Sequence, residues 1–257
     1  MRDCLILGSG RSGTSLAAGV LSRAGYFMGR SLNPANITNP KGQFEDREVN
    51  AVNEELLAQV TPARPENFLG NIFFRSRPKT GQRWLARLPL NISFQVSGKL
   101  EPRIRALLAN RPYCFKDPRF SYTLPAWRPY LQNTVLVCVF RHPGVTVSSI
   151  IKQNQTVAHL ADFSIGAGKA LEVWNLMYSH ILDKHLSKGG EWIFLHYHQF
   201  FDGSATHKLE KILEAEVDKD FADKSLSRSQ PTETVSRRSI SIYERLCELS
   251  GYKDQKA

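Results

Sequence analysis

Near the amino terminus, LILGSGRSGTSLAAGVLSRAGY (residues 5–26) sets out an apolar run, glycines at 8, 10 and 13 and a helical stretch, in the order a phosphate-binding loop requires. A loop that grips a triphosphate reads G-x-x-x-x-G-K-[ST], with the lysine on the β and γ phosphates and the hydroxyl on magnesium. The spacing from Gly8 to Gly13 is kept, but Thr14 stands where the lysine belongs. What remains is a turn of converging backbone N–H groups, hydroxyls at Ser12, Thr14 and Ser15, and the positive end of a helix dipole. That set suits one phosphate. Arg11 supplies a cation able to lie across an oxygen that gains charge as a bond breaks. The plainer alternative is a tight strand-to-helix turn with an ordinary cap.

A second basic anchor lies in VLVCVFRHPGVTVSSI (135–150). Arg141 closes the strongest apolar run, at the end where open parallel sheets hold ligands, and Ser149 follows in a helix predicted to begin at Pro143 or Gly144. Two donors so spaced can pinch a second phosphate; the alternative is a solvated arginine and a surface serine. Lys116 ends another strand-like run.

These side chains need a frame to hold them. Apolar runs at 4–7, 113–115, 134–140 and 192–195 read as parallel strands buried on both faces. Helical pattern follows the first run to near Gly25, returns at 106–108 and 209–212, and is predicted as one uninterrupted helix over 169–186. The expectation is a single α/β domain spanning 1–257, with a central parallel sheet of about four to five strands flanked by helices. Residues 29–102 carry prolines at 34, 40, 62, 65, 78 and 89 and read as loops and short helices over a site. The stretch 153–166 reads as irregular, and 218–257 as a polar, partly helical tail.

Composition narrows the partners. A charge of +10, from 34 basic and 24 acidic residues, calls for an anion. The basic residues are scattered, with no block of like charge, which disfavours a nucleic-acid arm and favours a small anion held internally. Cys4, Cys114, Cys138 and Cys247 are far apart in sequence and read as reduced thiols, not as a disulfide framework or zinc site. The seven histidines show no ligand spacing, so no metal is expected. The first strand begins at once and no apolar run is long enough to cross a bilayer, so a soluble cytoplasmic protein without a membrane span is expected.

Together the two anion segments resemble the sulfotransferases that use 3′-phosphoadenosine 5′-phosphosulfate (PAPS). NPKGQFEDREVNAVNEELL (39–57) is similar to the acid-bearing segment that follows the first helix in bacterial members, and FKDPRFSYTLPAW (115–127) to their K-D-P-R stretch. The resemblance implies a P-loop-like fold in which Arg11, Ser12, Gly13, Thr14 and Ser15 hold the 5′-phosphosulfate and Arg141 and Ser149 the 3′-phosphate. It implies PAPS as donor, 3′-phosphoadenosine 5′-phosphate (PAP) as product, no metal, and a small-molecule, sugar or lipid acceptor.

For the chemistry, the resemblance puts Arg11 and Lys116 at the bridging oxygen and makes Glu45 the general base, with Asp117, Asp46 and Glu48 as competitors. The histidine that many cytosolic members carry two residues after the lysine is replaced by Pro118. HYHQFF (196–201) departs from the family's acidic Y-E-D-L stretch, and His196 and His198 alternate on a strand end. Arg237 and Arg238, in VSRRSISIY (235–243), are candidates for a clamp on the 3′-phosphate. Trp127 is a candidate to stack on adenine or a core residue, and His159 to touch substrate or lie exposed on its loop. Two other readings remain: a P-loop-type kinase, and a non-catalytic polyanion-binding or nucleic-acid-binding protein.

Overall fold

Alternation along four short strands builds two hydrophobic layers. In the computed structural model, which describes residues 1–65, 67–226 and 234–253, strands β1 (Asp3–Leu7), β2 (Cys114–Lys116), β3 (Thr134–Phe140) and β4 (Glu191–His196) form one parallel sheet. Leu5, Leu7, Phe115, Leu136, Cys138, Phe140 and Phe194 face one side, and Cys4, Ile6, Cys114, Val135, Val137, Val139 and Leu195 the other. Both faces are covered, so the strands read as continuous apolar runs. The first face is packed by α2 (Arg47–Ala58), α4 (Leu100–Leu108), α5 (Phe120–Trp127), α7 (Ala167–Ser179) and α9 (Arg237–Ser250). The second is packed by α1 (Thr14–Leu21) and α8 (Ser204–Leu213). Two further helices, α3 (Phe68–Phe73) and α6 (Pro143–Thr156), lie along the chain between these.

The strand order β2-β1-β3-β4 fixes where a ligand can sit. From β1 the chain turns toward β2 on one side, and from β3 toward β4 on the other, so the connections after β1 and β3 diverge above their carboxyl ends. Such a switch point opens a crevice. The glycine loop leaves β1 and Arg141 leaves β3 at this crevice, and Pro143 is the first residue of α6, as its fixed φ favours.

Three expectations need adjusting. Residues 29–102 hold more order than loops and short helices: α2 is a 12-residue helix capped by Asp46, whose Val49, Val52, Leu56 and Leu57 are buried. The stretch 153–166 is partly helical, since α6 runs on to Thr156 before a single 3₁₀ turn at Ala158–Leu160. The predicted uninterrupted helix is broken in register: α7 ends at Ser179 and continues as a π turn, His180–His185, and a 3₁₀ turn, Leu186–Lys188. The wider register turns both histidines inward, His180 Nε2 to the Leu88 carbonyl (3.1 Å) and His185 Nε2 to that of Ser121 (3.0 Å). All four cysteines are free thiols, and Cys4 and Cys114 are register partners on β1 and β2. Of the tail 218–257, residues 227–233 and 254–257 lie outside the described residues. No helix among the described residues is long and apolar enough to cross a membrane.

Candidate active site

The glycine loop is held from behind. Gly8 N–H donates to Ser121 Oγ on α5 (3.1 Å), and Ser9 N–H to the hydroxyl of Tyr178 on α7 (3.1 Å). That hydroxyl also donates to the Val139 carbonyl (2.8 Å) and lies 2.9 Å from Ser12 Oγ. Ser12 is thereby fully buried and its side chain serves the loop's rear wall, a correction to its expected contact with phosphate. Arg11 adopts φ 70, a left-handed conformation that a non-glycine residue takes only when its surroundings enforce it. Gly13 has φ 100, and a Cβ there would stand 2.7 Å from the ring of Tyr197, so both backbone and neighbour demand glycine.

Gly13 is also the N-cap of α1, and no side chain caps that helix. Its first N–H groups therefore remain available to a ligand, at the positive end of the helix dipole. Gly10, Arg11, Gly13, Thr14 and Ser15 line a cavity of about 1030 Å³ over the crevice.

Arg141 and Ser149 line the same cavity. Arg11 Nε donates to Ser149 Oγ (3.1 Å), NH1 to Asn39 Oδ1 (3.1 Å) and NH2 to the Thr38 carbonyl (3.0 Å), all neutral acceptors. The Arg141 guanidinium lies over the Tyr197 ring, 4.2 Å from its centre. Burial, and then the charge of Arg141, bring the Arg11 guanidinium down to about 10. Two guanidinium groups, that of Arg141 buried and that of Arg11 partly buried, face one cavity and make its potential positive, and an oxyanion there stabilises both.

On another part of the wall Lys116, at the carboxyl end of β2 and nearly sealed from solvent, donates to Glu45 Oε1 at 2.5 Å. Glu45 follows Phe44, which is held at φ 55. The competing carboxylates have other work. Asp46 caps α2, accepting from the N–H groups of Glu48 (2.9 Å), Val49 (3.1 Å) and Ser31 (3.0 Å). Glu48 pairs with Arg103 on the exposed side. Asp117 is fully buried and off the cavity wall: Oδ1 accepts the Arg119 N–H and guanidinium, and Oδ2 the amides of Asn50 (2.8 Å) and Asn53 (2.9 Å). With every lone pair engaged in that network, its expected place at the reacting centre is corrected to a structural one.

Arg237 and Arg238 stand exposed in the first turn of α9, outside the residues lining the cavity, with Arg238 donating to Ser179 Oγ (3.3 Å). A helix start capped by Ser236 holds them there. Trp127 is fully buried, its Nε1 donating to Asn53 Oδ1 (2.8 Å), and belongs to the core. His159 is exposed but lines the cavity. His196 is buried, stacked on Tyr252 with ring centres 3.7 Å apart. Sequence reasoning missed the aromatic wall, Trp84, Tyr197, Phe201 and Phe221. Gly10 held a trace of it, because a Cβ there would meet the Trp84 ring at 2.5 Å.

No family model and no curated protein sequence matches the chain. Among solved structures it is similar to a sulfotransferase domain from the curacin biosynthetic pathway, with a TM-score of 0.53 and 16% identity over 96% of this chain and 98% of that one. It is also similar to a sulfotransferase domain from the Synechococcus PCC 7002 olefin synthase, with a TM-score of 0.51 and 14% identity over 95% and 94% of the two chains. The chain therefore has the α/β fold of these domains along nearly its whole length.

Proposed function

We propose that this protein is a sulfotransferase that moves the sulfuryl group of PAPS to a hydroxyl (or amine) of a small-molecule, sugar or lipid acceptor. The observation that supports this reading is that Arg11, beside the uncapped start of α1, donates to Ser149 in a cavity that Arg141, Lys116 and Glu45 also line, so that two sets of donors suited to anions share one space. A bisubstituted adenosine with an anion at each end fits that arrangement, and a triphosphate has no loop lysine to grip it. The free thiols, three of them buried, accord with a reducing cytoplasm.

PAPS, when bound, supplies a sulfur–oxygen bond whose cleavage leaves charge on a phosphate. The N–H groups at the start of α1, with Thr14 and Ser15, hold the 5′ end, and Arg141 with Ser149 holds the 3′-phosphate. Arg11 exchanges its neutral acceptors for the bridging oxygen and stabilises the charge that develops there. Glu45 takes the proton from the acceptor hydroxyl as its oxygen attacks in line. Lys116 orients Glu45 and stands ready for the leaving oxygen. The cavity beyond this point, walled by Asn50, Glu54, Arg83 and Trp84, receives the acceptor.

Calorimetry tests the donor site. PAP should bind at one site with micromolar or tighter affinity and without magnesium, and ADP should bind far more weakly. Binding of magnesium-ADP that equals or exceeds that of PAP would favour phosphoryl transfer and remove the proposal.

A further inference from the structure

On the cavity side of α2, Asn50, Glu54 and Ala58 follow one another at four-residue spacing, so the wall beyond Glu45 continues down the helix. Glu54 lies about two turns past the Asp46 cap, about 12 Å along the axis. It is a buried carboxylate with both oxygens taken: Oε1 accepts from Arg119 Nε (2.7 Å) and Oε2 from Arg83 Nη1 (2.8 Å).

Arg83 is used on one side only. Its Nη1 donates to Glu54 and to Thr80 Oγ1 (3.2 Å), whereas Nε, closed off from water, and Nη2 donate to nothing among the described residues. Nε and Nη2 make up the edge on which a guanidinium holds a carboxylate through two parallel hydrogen bonds. A side chain only 16% exposed, and fixed at Nη1, thus keeps that edge without a partner on the cavity wall.

Charge points to an anion as the partner. Among the described residues the wall carries four carboxylates, and each already has a cation: Glu45 has Lys116, Glu54 two arginines, Glu55 Arg103 and Asp223 Lys41. Arg47 and Lys152, on the same wall, form no ion pair among those residues. The linked charges from Lys116 through Glu45, Arg119, Asp117 and Glu54 to Arg83 sum to zero, so a single negative charge suits the Arg83 edge better than a phosphate dianion.

We propose that the acceptor carries a carboxylate, which Arg83 receives on its Nε–Nη2 edge while the acceptor hydroxyl stands at Glu45. This rests on the sulfuryl-transfer reading and adds a class of acceptor to it: a hydroxy acid whose two ends are on the order of 10 Å apart. Ala51 and Trp84, on the same wall, offer apolar surface to its body. Arg83 is then the residue that sets specificity.

Transfer from labelled PAPS to 8-hydroxyoctanoate and to 4-hydroxyphenylacetate, each set against its uncharged amide, tests this on the full chain, with PAP calorimetry run beside it. Each acid should exceed its amide by about tenfold or more in kcat/KM, chiefly through a lower KM. Arg83→Gln should abolish that preference while PAP affinity stays at the wild-type value. Arg83→Lys, which keeps the charge and loses the fork, should fall between. Where PAP binds normally, the proposal is overturned by acids and amides that perform alike, by failure of both acids to be turned over, or by a preference that Arg83→Gln leaves intact; the donor reading then stands. A chain that does not bind PAP would overturn both.

Discussion

Two carboxylates 72 residues apart in sequence, Glu45 and Asp117, are alike in type and sit around the same cation, Arg119, yet their surroundings give them different tasks. Glu45 faces the cavity with one lysine on one oxygen, whereas Asp117 is closed off with donors on both. Removing the charge should therefore read out differently at each. Glu45→Gln should lower kcat for sulfuryl transfer by about 10²- to 10⁴-fold, the usual share of a general base, and leave PAP affinity intact. Asp117→Asn turns an amide toward the Asn50 and Asn53 donors and leaves Arg119 short of a buried counter-charge, so it should cost about 3 kcal/mol of folding stability in urea denaturation. Turnover that survives Glu45→Gln would move the base elsewhere. A third change separates binding from chemistry: Arg141→Ala should weaken PAP binding by about ten- to a hundredfold, as loss of a charge-assisted hydrogen bond does.

At the scale of elements, the loop's shape depends on a helix that the sequence separates from it by more than 160 residues. The Tyr178 hydroxyl on α7 serves Ser9 N–H, the Val139 carbonyl and Ser12 Oγ at once. Tyr178→Phe should leave the Ser9 N–H and its neighbours short of a partner, with a loss of about 2 kcal/mol in stability and a clearly weaker PAP isotherm. An unchanged isotherm would show that the loop keeps its form without α7. This long reach also explains what could be read beforehand. Strands buried on both faces appear as plain apolar runs, and the glycine spacing and the residue closing β3 mark the ends of β1 and β3, so one crevice holding Arg11, Arg141 and Ser149 was legible. The supports were not, because Ser121, Tyr178 and Tyr197 have no local pattern that distinguishes them from core aromatics and hydroxyls. Helix α2 was obscured by the prolines around it, and the π turn by a helical periodicity that one added residue per turn scarcely disturbs. Nor could pattern divide labour among Glu45, Asp46, Glu48 and Asp117, since only the donors around each oxygen do that.

At the scale of the whole molecule, three buried histidines make stability depend on pH. Burial is the main cause in each: it lowers His180, brings His185 down to about 4 and His196 down to about 2, the last helped by the charges of His198, Arg141 and His142. In the unfolded chain these imidazoles titrate near the ordinary histidine value of about 6.5. Above that value neither state is protonated and the histidines favour neither. As pH falls below it the unfolded chain takes up protons that the folded one refuses, so stability declines, by roughly 1 kcal/mol per pH unit per histidine, until the folded value is reached. His185 should stop contributing near pH 4, whereas His196, stacked on Tyr252 and 3.2 Å from the Tyr243 hydroxyl of α9, continues below it. The same protons add to a net charge already at +10 and raise self-repulsion in the compact state. Urea midpoints measured from pH 7 to pH 5 should fall steadily, with a loss of about 2 to 4 kcal/mol over that range. His185→Gln, which keeps a donor for the Ser121 carbonyl without the titration, should make the dependence shallower. A stability that is flat or rises on acidification would mean that these imidazoles protonate in place. A ligand that binds only the folded chain raises its stability by mass action, so on the proposed function PAP added in excess should raise the whole curve and Arg141→Ala should reduce that rise.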